Sequence, residues 1–383
     1  MPTIDIPKSN QTVNVQIVDT TLRIKDGPLA AFLSPAIEGQ EKLNVGEFGF
    51  LITHTDLSSA GSDDKTVRKV LFDLGPPKDW KAHLPEPVVK RMSTWEDYGA
   101  VITIDKDISE VLQDGGVELD TIEALIWSHT HWDHMGRPSL FPPSVDLIVG
   151  PSIISKFSPG YPENPASPFL TREFSGRKVT ELSFDSSTLS IGGMKAIDFF
   201  NDGSFYILDA PGHAVGHINA LARTTASPNG ENDTFIFLGA DSYHIDSQLR
   251  PNAHTPLPKS IEIPRLSPCP CPGEIFEHIH PLPLGGNPSL TPFQIIHEKS
   301  VAVDVPSARE VINKIQAFDA DERVFVINAH EWSYYDVLEI FPESANGWRR
   351  KGWKEKARWR FLAGFQGAVE LAFTDRKLWR GSL

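Results

Sequence analysis

The segment WSHTHWDHMG, residues 127–136, sets His129, His131, Asp133 and His134 within six positions. The chain has 13 histidines in 383 residues, so three in six positions is a local concentration of the most versatile ligand side chain. In extended backbone, residues two apart point the same way. His129 and His131 can therefore face one ion together, and a turn at Asp133–His134 would aim those two at a neighbouring point. Neutral imidazole and carboxylate suit zinc and similar borderline divalent ions. A lone histidine reads as a cap or a satisfied core residue; this spacing does not.

Three more strand-like runs end on residues of the same kind. SFYILDAPGH (204–213) ends on His213, with Pro211 and Gly212 predicting a sharp turn. DTFIFLGAD (233–241) ends on Asp241, and RVFVINAH (323–330) ends on His330, where an unpaired imidazole beside a buried strand would be costly. The run EALIW delivers the chain into the first cluster. One such strand end is weak evidence; four predict a single site where sheet edges meet. His217, four residues beyond His213, reads as a packing or orienting residue rather than a ligand.

The elements that must hold these residues are strands and helices in alternation, a mixed α/β pattern. EFGFLITHT (47–55) and KVLFDLG (69–75) are apolar runs of strand length, joined by the polar SSAGSDDK as in a hairpin. DISEVLQDGG (107–116) predicts a helix with Asp107 as N-cap, Glu110 completing a capping box, and Gly115 and Gly116 as its stop. SAREVINKIQAF (307–318) predicts another, capped by Ser307 with Glu310 closing the box. Residues 249–293 are dense in proline and lack periodicity, which predicts an ordered covering loop rather than a regular core element. Within it lie Cys269, Cys271, His278 and His280. One residue between cysteines is tight for a structural zinc site, so these four are expected to line or staple the loop, with both thiols buried and inert. RRKGWKEKARWRFL (349–362) reads as a solvated amphipathic helix with buried tryptophans.

A net charge of −14 argues against a nucleic-acid surface. No apolar run approaches the ~18 residues of a membrane helix, and the N-terminus lacks a signal-peptide profile. Two cysteines make no disulfide framework. These features lead us to expect a cytoplasmic protein with a small-molecule substrate, engaging neither nucleic acid nor membrane.

On these residues the chain resembles the metallo-β-lactamase superfamily. Its signature, His-x-His-x-Asp-His followed by single His, Asp and His ligands, is matched in order by residues 129–134, His213, Asp241 and His330. FDLG (72–75) looks like the early Asp-bearing strand of that family, and the similarity spans roughly residues 45–335. The resemblance implies an αββα sandwich, two mixed β-sheets flanked by helices with the metals at one sheet edge. It implies one domain over 1–383, with the covering loop at about 245–295 and a C-terminal helical or strand extension at about 340–383. It also implies two divalent ions, zinc in the first place and iron or manganese as alternatives. His129, His131 and His213 look like ligands of the first, Asp133, His134 and His330 of the second, and Asp241 looks like the carboxylate bridging both. Asp73 is similar to the family's aspartate that orients the histidines by accepting an imidazole N–H, and His217 falls in the same outer layer.

The chemistry implied is hydrolysis. Two ions ~3.5–4 Å apart can share a hydroxide, which zinc makes available near neutrality by lowering the pKa of water to about 7. That metal-bridging hydroxide would attack a carbonyl, with Asp133 assisting proton transfer to the leaving group. The proline-rich segment resembles that of fungal-type members, some of which open lactones or small lactams, including benzoxazolinone-type rings. A binuclear hydrolase opening a cyclic ester or amide is therefore expected. The alternatives are a thioesterase of the same superfamily and a non-catalytic binding protein, the latter disfavoured because all seven ligand-type residues are kept. Acyl-homoserine lactonases carry a Tyr three residues after the bridging Asp. Here that position is His244 and Tyr243 comes one residue early; either is expected to contact a substrate oxygen, and the mismatch argues against a homoserine lactone.

Overall fold

A computed structural model describes residues 3–55, 66–264, 266, 269–282 and 286–374. The strand-like runs pair into two six-stranded sheets. The first runs, in spatial order, Val13–Asp19, Phe48–Thr55, Val67–Phe72, Ala124–Ile126, Asp146–Val149 and Val179–Glu181. The second runs Ser190–Ile191, Met194–Asp198, Phe205–Asp209, Ile218–Thr225, Thr234–Leu238 and Val324–Ile327. Both mix antiparallel and parallel pairing. The expected hairpin of 47–55 and 69–75 forms, with Phe50 opposite Phe72; its polar connection lies outside the described residues.

Side chains alternate across each strand and sort the core into layers. Phe50, Ile52, Val70, Phe72 and Ile126 face inward to meet Ile207, Ala220, Ile236, Leu238 and Ile327 of the second sheet. Their neighbours Leu51, Leu71, Leu125 and Leu147 face outward against Ile108 and Leu112 of the helix Ile108–Asp114. On the far side, Leu221, Phe237 and Val326 pack on Val311, Ile315 and Phe318 of the helix Val305–Ala320. Helix, sheet, sheet, helix: the αββα sandwich is the observed architecture.

Register places the site. The parallel neighbours Phe72 and Ile126 are paired, as are Leu238 and Ile327. Each pair lies at the C-terminal end of its strands, so Asp73, the 127–134 cluster, Asp241 and His330 all emerge at one edge of the sandwich. Carboxyl ends of parallel strands are where open α/β sheets bind ligands.

Several local expectations are corrected. The Asp107 cap and its box with Glu110 are present, but the second helix begins two residues before Ser307. Its cap is Asp304, which accepts from the Ser307 amide at 3.1 Å. Pro306 sits in its first turn, where a missing N–H costs nothing, and Glu310 pairs with Lys314 instead. The proline-rich segment is not wholly irregular: Gly273–Ile279 is helical, in the one stretch between Pro272 and Pro281 free of proline. Leu257, Ile261, Ile263 and Phe276 of this segment pack on Trp80, Val88 and Met92 and on Phe361 and Phe365 near the C-terminus. Cys269 is exposed and only Cys271 buried, so the pair is not jointly enclosed. Among the described residues the two cysteines, His278 and His280 form no metal-ligand cluster.

The basic tryptophan-rich stretch is not a single solvated helix. It breaks at Gly352, whose φ is +65°, into Trp348–Lys351 and Trp353–Ala357. Trp348 and Trp353 join the central core, and the buried Lys354 ammonium donates to the carbonyls of Asp321 and Val324 at 2.6 and 2.7 Å.

Candidate metal centre

The backbone that carries these residues to the site turns sharply at three strand ends. Gly212 turns the chain into His213 with φ +127° and lies so close to Ala308 that a Cβ there would meet its amide nitrogen at 2.2 Å. Asp73 and Ala240 hold φ of +60° and +41°. Such backbone is uncommon outside glycine and clusters at functional sites. Both residues close strands at the site edge.

The seven residues singled out in the sequence converge. Ligand atoms of His129, His131, His213 and Asp241 lie within 4.8 Å of one another, and so do those of Asp133, His134 and His330. His213 Nε2 is 2.9 Å from His131 Nδ1 and 3.2 Å from His129 Nε2. Asp241 stands between the groups. Its Oδ2 is 3.3 Å from His213 Nε2 and 3.7 Å from His129 Nε2. Its Oδ1 is 3.1 Å from His134 Nε2 and 2.9 Å from His330 Nε2. Asp133 Oδ2 lies 3.7 Å from His330 Nε2.

The residues fit divalent cations on their own chemistry. Burial holds His131 down to about 3 and keeps His129 and His213 well below the usual imidazole range. Three neutral imidazoles with their nitrogens crowded together, and no donors between them, match a cation's needs. Around the other half, burial disfavours charge on His330, yet the Asp241 carboxylate outweighs it and lifts the group to about 9. Burial opposes ionisation of Asp241 as well, but His330 and His134 hold it well below the carboxylate range. A carboxylate this buried demands nearby positive charge.

An outer layer orients the rings. Asp73 Oδ2 is 2.8 Å from His134 Nδ1, while its Oδ1 accepts from the Ser128 amide at 2.8 Å. His217 does not join the ligand groups: its Nδ1 is 2.9 Å from the Ala210 carbonyl and its Nε2 accepts from the Asp241 amide at 3.3 Å. His330 Nδ1 lies 2.8 Å from the Gly46 carbonyl.

The two candidates for a substrate contact part company. Tyr243 is buried in the apolar layer beneath the second sheet with Leu249, Phe237 and Val326, away from the ligand cluster. Adjacent side chains diverge, so only one of the pair can face the site. That one is His244, whose Nε2 is 3.3 Å from Asp241 Oδ2. Its ring packs 5.0 Å from His213 and 4.6 Å from Phe32, and both ring nitrogens are buried without a hydrogen-bond partner.

Sequence reasoning missed Ser128 and Glu47. Ser128 Oγ is 3.0 Å from His129 Nδ1. Glu47 is fully buried, with Oε1 3.5 Å from His134 Nδ1 and Oε2 accepting from Thr20 at 3.2 Å. An acidic residue opening the apolar run EFGF was the available signal. Of the three histidines in the first group, only His131 is partly exposed. On its side an open cavity of about 230 Å³ is walled by Pro87, Val88, Trp132, Phe157, Pro165 and Val215. The described residues of the proline-rich 249–293 segment do not wall this cavity.

No protein-family model matches the sequence. The chain is 40% identical over 369 residues to gamma-lactamase FDB1 of Fusarium pseudograminearum, covering 95% of this chain and 85% of that protein. It is 37% identical over 376 residues to metallo-hydrolase mfmC of Annulohypoxylon moriforme, covering 96% and 91%. Among solved structures, a B. thuringiensis AiiA mutant with N-decanoyl-L-homoserine bound at its active site superposes with a TM-score of 0.51 at 14% identity, covering 87% of this chain and 99% of the other. That likeness supports the fold alone.

Proposed function

The chain belongs to the metallo-β-lactamase superfamily, and on that premise we propose that it is a two-metal hydrolase opening a cyclic ester or amide. The observation that carries this reading is Asp241, whose two oxygens face separate groups of three ligand-type residues. His129, His131 and His213 would hold one ion, Asp133, His134 and His330 the other, with zinc best suited to the set. When bound, such ions supply carbonyl polarisation and a nucleophile competent near neutral pH. The chain's own residues do the rest. Asp73, the Gly46 carbonyl and the Ala210 carbonyl fix the tautomers of His134, His330 and His217. Asp133 stands where it can carry a proton to the leaving group. His244, with unpartnered nitrogens over Asp241, is placed to donate to a substrate oxygen. The apolar cavity beside His131 would shelter the ring from water.

The test is a panel of lactone, lactam and thioester substrates with zinc-loaded protein. Lactam or lactone opening is expected to be fastest, to vanish on chelation and to return with zinc. A preference for thioesters moves the reading to a thioesterase, and no hydrolysis of any class by the metal-loaded protein removes it. An Asp73→Asn variant is expected to lower metal affinity ~10–100-fold, measured by competition with a chromogenic chelator, while its circular dichroism matches the parent.

A further inference from the structure

We propose that Arg91 is a specificity residue that pairs with a carboxylate substituent on the substrate ring, at the end remote from the reacting carbonyl. The inference rests on the hydrolase reading above and deepens it. Arg91 lies on the helix Glu86–Asp97, one turn beyond Pro87 and Val88, so the three share a face. That face forms one wall of the cavity beside His131. Apart from His131 itself, Arg91 is the one ionisable residue in the wall among the described residues; Trp132, Phe157 and Val215 make the rest largely apolar.

The guanidinium is uncommitted. Arg68 pairs with Glu123 at 2.6 Å and Arg250 with Asp319 at 2.6 Å, but among the described residues Arg91 has no carboxylate or carbonyl partner. A chain of net charge −14 repels anions as a whole, so a lone cation at the entrance of an apolar cavity focuses them there. A planar fork of donors suits a carboxylate in two-point contact. The cavity of about 230 Å³ leaves room for one small ring between that contact and His131, so the acceptable substrate is a small ring system bearing an acid group.

Equilibrium binding tests this without requiring turnover. The probes are 1-indanone and 1-indanone-5-carboxylate, ring ketones of the same shape that hydrolysis cannot open, titrated into zinc-loaded parent, Arg91→Ala, Arg91→Lys and Arg91→Glu proteins. The carboxylated ring is expected to lose about tenfold or more in affinity in Arg91→Ala, to lose more in Arg91→Glu and to recover partly in Arg91→Lys. Neutral 1-indanone should change less than twofold, and the preference for the acid should shrink as salt rises. Equal losses on both rings, no loss on the acid, or no binding of the acid by the parent would each overturn the proposal. Failure of the hydrolase reading shows separately, as absent turnover by the parent protein.

Discussion

Asp241→Asn is expected to empty the centre and abolish hydrolysis. On the two-metal reading the carboxylate is the side chain that would serve both groups, since one of its oxygens lies toward each. Replacing it removes a charge from both at once and puts an amide donor where an acceptor is needed. Removing an outer partner such as Asp73 costs ~10–100-fold; removing the shared inner ligand should exceed that range. The contrast is His134→Ala, which leaves His129, His131, His213 and Asp241 together. Metal content by mass spectrometry should fall to roughly half for His134→Ala and toward zero for Asp241→Asn. Equal metal content in the parent and Asp241→Asn would refute the shared-ligand assignment.

The second large effect is on stability. Arg250 is 2% exposed and sits among carboxylates. Its Nε and Nη2 donate to Asp319 at 2.7 and 2.6 Å, and its Nη1 donates to Asp246 at 2.5 Å and to the Arg358 carbonyl at 2.9 Å. Asp246 also accepts from Tyr334 at 2.9 Å. This network ties the segment after Asp241 to the end of the helix Val305–Ala320 and to the C-terminal turns. Arg250→Ala would strand two buried carboxylates, for which the cost is about 3–5 kcal/mol. A lower denaturant midpoint and a lower Tm are expected, with the exposed Arg349→Ala as an unaffected control. A midpoint within error of the parent would show that the network contributes little.

Most of the candidate site could be read along the chain because its spacing is set by local geometry. His129 and His131 lie two apart just beyond a strand, and His213, Asp241 and His330 each follow an apolar run, so strand ends identify them. The helix at 108–114 announced itself by its capping box. Other features depended on distance in space rather than in sequence. Tyr243 and His244 are neighbours, and only the packed sheet chose between them. Ser307 had the type of a cap, yet Asp304 and Pro306 together started the helix earlier. Glu47 enters the site because the strand Phe48–Thr55 pairs with Val67–Phe72, a partnership of segments that no residue within 47–55 specifies.

The cavity wall makes the same distinction. Proline density pointed to residues 249–293 as the cover, since chain that cannot form regular hydrogen bonds must be held by something else. The tertiary structure spends that segment against Trp80, Phe361 and Phe365, where its apolar side chains find a second core. The wall beside His131 comes instead from the helix Glu86–Asp97, the 157–168 loop and the turn after His213. By itself, then, the sequence determined which atoms can bind metal, because ligand identity and short-range spacing are local properties. Which of them stand together, and what lies opposite them, was decided by the pairing of strands and the packing of apolar faces, which bring together residues more than a hundred positions apart.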